Sequence, residues 1–190
     1  MRPTGLTYRS TFLTLEEEKD LLAHIEHQQF HEVRMKGVVA KRTVIHYGFD
    51  YDYEGWKIHP TEPPPEWLRP LIGRAAEAAN IDAAVIEQLM IARYPPGAAI
   101  GWHRDAPMFG SPVIGVSLAA PATMKFRRPA DGASYALLLE PRSLYVLDGE
   151  ARSQWQHSIT PGATMRYSVT MRTVRYRTVA SGPRRALGNR

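Results

Sequence analysis

From Val85 onward the chain is a succession of short β-like segments separated by turns, and this pattern restricts the fold more than any other feature. The segments are IEQLMIARY, VIGVSLA, TMKFRR, YALLLE, SLYVLD and RYSVTMRTVRYR. Turn sequences such as PPGA, ADGA, EPRS and TPGA lie between them. Helices first and many short strands later favour an antiparallel sandwich or barrel that carries packed helices.

Two amphipathic helices are predicted before this region. Thr14 and Glu17 match a capping box, and the helix that follows is expected to end near Gln28. After the proline-rich stretch HPTEPPPEW, apolar residues recur every four positions from Trp67 to Ala79, which predicts a second helix with one buried face. The predicted fold class is therefore mainly β with packed helices (α+β).

Length and composition indicate one soluble domain without cysteine chemistry. The chain has 190 residues, 44% of them hydrophobic, so we predict a single domain over residues 1–180 and a basic, flexible tail over 181–190. The absence of cysteine excludes disulfides, thiolate zinc sites, iron–sulfur clusters and cysteine nucleophiles. No apolar run has the length of a signal peptide or of a membrane span, about 18 residues. We expect a cytoplasmic monomer with no membrane and no identified protein partner.

The sequence GWHRDAP contains the strongest candidate for a metal site. His103 and Asp105 are two residues apart, so on an extended strand their side chains point to the same side. His157 follows several strands later and is a candidate third ligand. Two histidines and one carboxylate on one face of a metal form the facial triad of iron(II) oxygenases. Zinc can use the same ligands, and a His-x-Asp pair also occurs by chance.

The segment RYSVTMR supplies a second candidate feature. Arg166, Ser168, Thr170 and Arg172 share one face of a strand, so that face is cationic and hydroxylated. Inside a barrel, two arginines would require anions, and a dicarboxylate such as 2-oxoglutarate provides them. The alternative is a strand face exposed to water. Arg175, of opposite parity, is expected on the other side.

Together these motifs resemble the AlkB family of 2-oxoglutarate- and iron(II)-dependent dioxygenases. The matching pieces are YPPGAAIGWHRD, GEARSQWQHSI and RYSVTMR, in the family's order. The resemblance covers most of the chain and implies a double-stranded β-helix, or jelly roll, with N-terminal helices against one sheet. It implies that His103, Asp105 and His157 hold iron(II), with 2-oxoglutarate and O2 as co-substrates.

The resemblance also implies how the co-substrate is bound. Arg166 would pair with the distal carboxylate of 2-oxoglutarate, and Arg172 would lie near the iron-chelating carboxylate and the substrate. Tyr94 matches a tyrosine that hydrogen-bonds 2-oxoglutarate, and Ser168 matches a position that lines the same pocket.

Two positions depart from the family pattern. The family often has asparagine two residues before the tyrosine, where this chain has Ala92. Some members carry a second acid two residues after the metal aspartate, where this chain has Pro107. The base preference of those members cannot be transferred to this chain.

Residues 34–58 resemble the family's substrate lid. Bases alternate there with aromatic residues, which suits phosphate contact and base stacking, although the aromatics could also belong to a half-buried strand pair. Trp102 and Phe109 flank the metal motif; each could stack a base, but packing in the barrel is favoured. The candidate substrate-binding residues are Arg42, His46, Tyr51, Tyr53, Trp56 and Trp102.

The function that the sequence favours is oxidative demethylation of alkylated bases in DNA or RNA. Such a reaction releases succinate, CO2 and formaldehyde. The net charge of +5 is compatible with a nucleic-acid partner. One alternative is the same oxidative chemistry on a protein side chain or small metabolite. Another is a non-catalytic nucleic-acid-binding domain with a degenerate site, against which the complete triad and arginine pair argue.

Overall fold

Antiparallel strands dominate the computed structural model, which describes residues 1–35, 37–52 and 57–175. Short 3-10 turns lie at Glu66–Leu68 and Ala83–Val85. In chain order the helices and strands are β1 (Leu6–Arg9), α1 (Leu15–Glu26), β2 (His31–Met35), β3 (Val38–Tyr47), β4 (Phe49–Asp52), β5 (Lys57–Pro60), α2 (Arg69–Ala78), β6 (Gln88–Tyr94), β7 (Ile100–His103), β8 (Phe109–Leu118), β9 (Ala122–Arg127), β10 (Ser134–Leu139), β11 (Ser143–Leu147), α3 (Gly149–Ser153), β12 (Gln156–Ile159) and β13 (Arg166–Val174).

The strands form a large sheet, a smaller sheet and a separate pair. The seven-stranded sheet has the order β1-β11-β8-β13-β6-β3-β2, and the four-stranded sheet has the order β10-β9-β12-β7. The pair β4-β5 lies in the region predicted to be a lid. Apart from the consecutive pairs β2-β3 and β9-β10, neighbours in both larger sheets are distant in sequence, so residues from several motifs are brought side by side.

The predicted capping box begins the first helix. The Thr14 hydroxyl accepts a hydrogen bond from the Glu17 amide at 3.2 Å, and the Glu17 carboxylate accepts one from the Thr14 amide at 2.8 Å. The helix α1 ends at Glu26, before the predicted end at Gln28. In the second predicted helix, Trp67 belongs to a 3-10 turn and regular α-helix begins at Arg69, where a proline follows at the start of α2.

The helices α1 and α2 cover one face of the seven-stranded sheet. Ile25 of α1 and Leu71 of α2 pack with Ile91 of β6 and Val169 of β13 in the largest apolar cluster. The other face of β13, with Arg166, Ser168, Thr170 and Arg172, faces the barrel interior, as the alternation in RYSVTMR predicts. The apolar face of the strand therefore packs on the helices, and its cationic face is left to line a cavity.

Some expectations lie outside the described residues. The tail 181–190, Tyr53 and Trp56 are among them, and for Tyr51 the structure describes the strand β4 but not the side chain. No helix in the described part of the chain is long and apolar enough to cross a membrane.

Candidate metal and co-substrate site

A cavity of about 1060 Å³ lies between the two larger sheets. The seven-stranded sheet contributes Tyr94 of β6 and Arg166 of β13, and the four-stranded sheet contributes His103 and His157. Both features singled out in the sequence therefore line one space.

The three candidate metal ligands lie together in the structure. His103 of β7 and His157 of β12 are direct partners across the strand pair, with ring centroids 4.3 Å apart. Asp105 follows β7, and its Oδ2 is 3.7 Å from His157 Nε2. His103 Nδ1 is 2.9 Å from the Gly101 carbonyl oxygen, an arrangement that favours a proton on Nδ1 and leaves Nε2 with its lone pair.

Burial and neighbouring charges keep Asp105 and His157 in the protonation states that a metal requires. Burial alone would raise the pKa of the Asp105 carboxyl, but Arg172 and the nearby histidines outweigh it and hold that pKa well below its usual range. Burial, reinforced by His103, lowers the pKa of His157 to about 3. At neutral pH Asp105 is therefore a carboxylate and His157 a neutral imidazole, the forms that bind metal.

Two histidine nitrogens and one carboxylate are ligands that suit iron(II). Among the described residues no three His, Asp or Glu side chains converge tightly enough to form a finished metal site. The Oδ1 atom of Asp105 pairs with Arg172: it accepts a hydrogen bond from Nε, and Nε and Nη2 both lie 2.8 Å away. Two imidazoles and one carboxylate beside a large cavity leave coordination positions open, as the facial sites of iron(II) oxygenases do.

Arg166 is buried with part of its guanidinium unsatisfied. Its side chain is 5% exposed, and its Nε donates to the Ser117 hydroxyl at 3.2 Å. The guanidinium carbon lies 4.8 Å from the ring centre of Tyr94, its partner across β13 and β6. Nη1 has no hydrogen-bond partner. A buried cation with an unpaired donor is unfavourable unless an anion joins it, which marks this place for a carboxylate.

Arg172 differs from Arg166 because protein groups already surround it. Besides Asp105, it donates from Nη1 to Gln88 Oε1 at 2.9 Å, and its guanidinium carbon lies 4.9 Å from the Phe109 ring. Arg172 therefore fixes the position of Asp105. Ser168 and Thr170, which line the same cavity, lie between the two arginines along β13.

Sequence reasoning missed Tyr145 of β11, whose side chain also lines the cavity. Its ring lies over Gly115 of β8, directly opposite across the strand pair, where a Cβ would clash with it. Burial, with a contribution from Asp105, raises the pKa of Tyr145 to about 12, so its hydroxyl remains a donor at neutral pH. The available signal was the glycine inside the strand VIGVSLA, since such a glycine often marks a close approach.

Arg152 of α3 was also missed. It donates to the carbonyl oxygens of Ala106 at 3.0 Å, Phe109 at 2.8 Å and Gly110 at 3.3 Å. Arg152 thus holds the segment that directly follows Asp105. No spacing in the sequence connects it with this segment.

The candidate substrate residues are not all in one place. Arg42 of β3 lines the cavity, is 6% exposed, and has no hydrogen-bond partner for Nη1. His46 is instead engaged with Asp50, their Nδ1 and Oδ1 atoms lying 2.6 Å apart, and is not among the residues that line the cavity. The alternation of β3 places both on the barrel side of the sheet.

Two expectations near the metal motif are wrong. Trp102 does not pack in the barrel: it is 40% exposed at the rim of the cavity, and the Arg127 guanidinium carbon lies 4.6 Å from its ring centre. Phe109, in contrast, is buried as expected. Arg175 does not point away from Arg172, because the strand register shifts after Arg172 and brings Arg175 to the same cavity.

Comparisons with known proteins identify the family to which the chain is related. A family model described as the 2OG-Fe(II) oxygenase superfamily matches residues 7–178. The tRNA (carboxymethyluridine(34)-5-O)-methyltransferase alkbh8 of Xenopus tropicalis is 30% identical over 168 residues, which cover 84% of this chain and 26% of the relative. The alpha-ketoglutarate-dependent dioxygenase AlkB of Escherichia coli (strain K12) is 31% identical over 134 residues, or 65% of this chain and 62% of the relative. This chain thus spans about a quarter of the length of the first relative.

A solved structure shows the same fold. The structure of OsALKBH1 superposes with a TM-score of 0.73 at 16% identity, covering 91% of this chain and 98% of that one. The jelly roll with packed helices that the sequence predicts is therefore confirmed.

Proposed function

The chain belongs to the AlkB family of the 2OG-Fe(II) oxygenase superfamily, and we propose that it is a 2-oxoglutarate- and iron(II)-dependent dioxygenase that removes alkyl groups from bases of DNA or RNA. The observation that carries the proposal is the unpaired Nη1 of the buried Arg166, in the same cavity as His103, Asp105 and His157. An anion site and a facial ligand set in one space are what a 2-oxo dicarboxylate bound at a metal requires.

The proposed metal ligands are His103, Asp105 and His157. When bound, iron(II) with 2-oxoglutarate activates O2 for oxidation of a substrate C–H bond. For an N-methyl group the balance is N–CH3 + O2 + 2-oxoglutarate → N–H + formaldehyde + succinate + CO2. The protein's part is to orient the reactants and to exclude water.

Arg166 and Tyr94 are proposed to hold the distal carboxylate of 2-oxoglutarate. Arg166 offers Nη1, which has no protein partner, and the two side chains are neighbours across β13 and β6. Tyr145 offers a protonated hydroxyl in the same cavity. Ser168 lies opposite Ala92, a position where the family often has asparagine. Arg166, Tyr145 and Ser168 are proposed to supply the hydrogen-bond donors that Ala92 lacks.

Arg172 and Arg152 are proposed as positioning residues. Arg172 holds the Asp105 carboxylate, and Arg152 holds the backbone of the segment after it. Neither needs to touch the reacting atoms to affect the rate. Both keep a metal ligand in place, and displacement of such a ligand by about 1 Å already lowers the rate strongly.

Nucleic acid as substrate is supported by the names of the relatives and by the surface beside the cavity. The Arabidopsis thaliana relative is named an alkylated DNA repair protein ALKBH8 homolog. Trp102 carries Arg127 against its ring at the cavity rim, a pairing that suits base stacking next to phosphate. Within the described part of the chain no ion pair involves Arg104, Lys125 or Arg127, so their charges remain available.

Two measurements test the proposal. Anaerobic protein with iron(II) and 2-oxoglutarate should show a weak visible charge-transfer band from chelation of the 2-oxo acid, and Arg166→Met should require far more 2-oxoglutarate for the same band. Bound iron without the band would contradict the co-substrate site. Methylated single-stranded oligonucleotides should then stimulate succinate formation, and their binding should weaken as salt rises. Binding that salt does not change, with turnover on a peptide or metabolite, would contradict the substrate class.

A further inference from the structure

The charge of the cavity lining is strongly unbalanced. Among the described residues that line it, Asp105 is the only acid, and Arg172 already pairs with it. Pro107, two residues after Asp105, also lines the cavity and adds no charge to it. The lining contains six arginines: Arg42, Arg104, Arg152, Arg166, Arg172 and Arg175.

Loading the site does not remove this excess. Six positive charges and one negative charge leave five positive charges without an acidic partner among the described lining residues. Two of them, Arg104 and Arg175, are exposed to solvent, whereas Arg42, Arg152 and Arg166 are wholly or partly buried. Iron(II) brings two positive charges and 2-oxoglutarate two negative charges, so the loaded pair is neutral in sum. A substrate base therefore enters a cavity that remains cationic.

Arg42 is the lining arginine best placed to read the base. Arg166 is taken by the proposed co-substrate, and Arg152 and Arg172 are engaged with protein oxygens. Arg104 and Arg175 are exposed to solvent, and Arg104 also donates to the Ser153 carbonyl oxygen. Arg42 is buried in β3, on the inner face of the large sheet, with Nη1 free of any hydrogen-bond partner. A guanidinium can only donate hydrogen bonds, so it requires an acceptor, such as a ring nitrogen or carbonyl oxygen of a neutral base.

Resting on the proposed function, we propose that the enzyme selects uncharged modified bases and discriminates against cationic ones. Methylation at N1 of adenine or N3 of cytosine gives a cation, whereas methylation of the exocyclic amine leaves the base neutral. The cations would meet like charge in a partly desolvated space and would find no free carboxylate among the described residues that line it. The neutral bases keep the ring nitrogen as an acceptor for Arg42.

Isomeric oligonucleotides test this directly. One strand carries a single N6-methyladenine and the other a single 1-methyladenine at the same position, so they differ in methyl position and charge but not in mass. We expect kcat/KM for succinate formation to be at least about tenfold higher with the neutral isomer. The pair N4-methylcytosine and 3-methylcytosine should show the same order, which separates charge from the shape of one base.

Two variants that each remove one positive charge show which arginine determines the selectivity. Arg42→Gln should reduce the neutral-to-cationic ratio several-fold, because it removes a cavity charge and replaces the charged guanidinium donor by a shorter, neutral amide. Arg127→Gln is the matched control: it removes a charge from the outer face of the small sheet, so it should weaken both isomers alike and leave the ratio unchanged.

The outcomes separate the two proposals. Equal or faster turnover of both cationic isomers overturns the charge selection and leaves the dioxygenase function standing. A ratio that Arg127→Gln lowers as much as Arg42→Gln also overturns it. If no oligonucleotide is turned over while 2-oxoglutarate still chelates iron, the proposed nucleic-acid function fails and the selection fails with it.

Discussion

Replacing Arg166 by methionine should separate the binding of co-substrate from the stability of the fold. In the unliganded wild-type protein, burial of the unpaired Nη1 of Arg166 costs about 1–3 kcal/mol of stability. The variant has no guanidinium there and avoids this cost. The variant also loses the hydrogen bond to Ser117, worth about 1.5–3 kcal/mol because the donor is charged, and the contact with the Tyr94 ring, worth about 0.5–2 kcal/mol. These terms oppose each other, and their mid-range values leave the variant less stable by about 1.5 kcal/mol.

The affinity for 2-oxoglutarate should respond much more. Loss of one partner of a buried charge pair costs about 2–5 kcal/mol of binding free energy. At a concentration of 100 times the wild-type Kd, 2-oxoglutarate should stabilise the wild-type protein by about 2.7 kcal/mol. The same concentration should stabilise Arg166→Met by less than about 1 kcal/mol.

The assay is urea unfolding under anaerobic conditions with iron(II), with and without 2-oxoglutarate. Arg93→Met is the matched control, because Arg93 lies next to Tyr94 on the other face of β6 and makes contacts of the same kinds, with Thr43 and the Phe30 ring. It should keep the full stabilisation by 2-oxoglutarate. The reasoning is refuted if Arg166→Met loses more than about 3 kcal/mol without ligand, or if 2-oxoglutarate stabilises it as much as the wild type.

The remaining predictions concern other parts of the site. His103→Ala should lose iron binding, measured by metal content after desalting, while the far-ultraviolet circular dichroism stays unchanged; stoichiometric iron in the variant would exclude His103 as a ligand. Arg152→Lys cannot bridge three carbonyl groups, so hydrogen exchange of the 106–110 amides should accelerate; exchange equal to that of the wild type would show that Arg152 does not hold the segment. Gly115→Ala should cost about 1–3 kcal/mol in urea unfolding because its Cβ meets the Tyr145 ring, and most of this cost should vanish in a Tyr145→Leu background; the same cost in both backgrounds would rule out the clash. Because burial raises the pKa of Tyr145 from 10 to about 12, the unfolded chain ionises first, so the free energy of unfolding should fall as pH rises through this window; Tyr145→Phe should flatten that slope, and an unchanged slope would contradict the assignment.

Local patterns in the sequence predicted the elements of this fold well. The capping box at Thr14 and the alternation in RYSVTMR depend on neighbours in sequence, and both are present in the structure. The end of α1 and the start of α2 were placed less well. Helix ends depend on the last turn and on nearby prolines, so a residue such as Trp67 can belong to a 3-10 turn while its apolar spacing still looks helical.

The site was predictable where its residues lie close along one strand. His103 and Asp105, or Arg166 and Arg172, share a face because of strand geometry alone. Tyr145 and Arg152 were missed because their roles depend on which strands are neighbours and on where a helix meets a loop. Arg175 shows the limit of alternation, since a single register shift after Arg172 reverses the face on which a residue lies.

The salt bridge between Arg172 and Asp105 affects the stability of the protein without its metal. Many small metal sites are built from ligands that repel or scatter when the ion leaves, and the domain unfolds with them. In this chain the carboxylate keeps a counter-ion from its own fold, and the two histidines are fixed by strand pairing. A chelator should therefore strip the metal and leave the barrel intact, and returning iron(II) should restore the site without refolding.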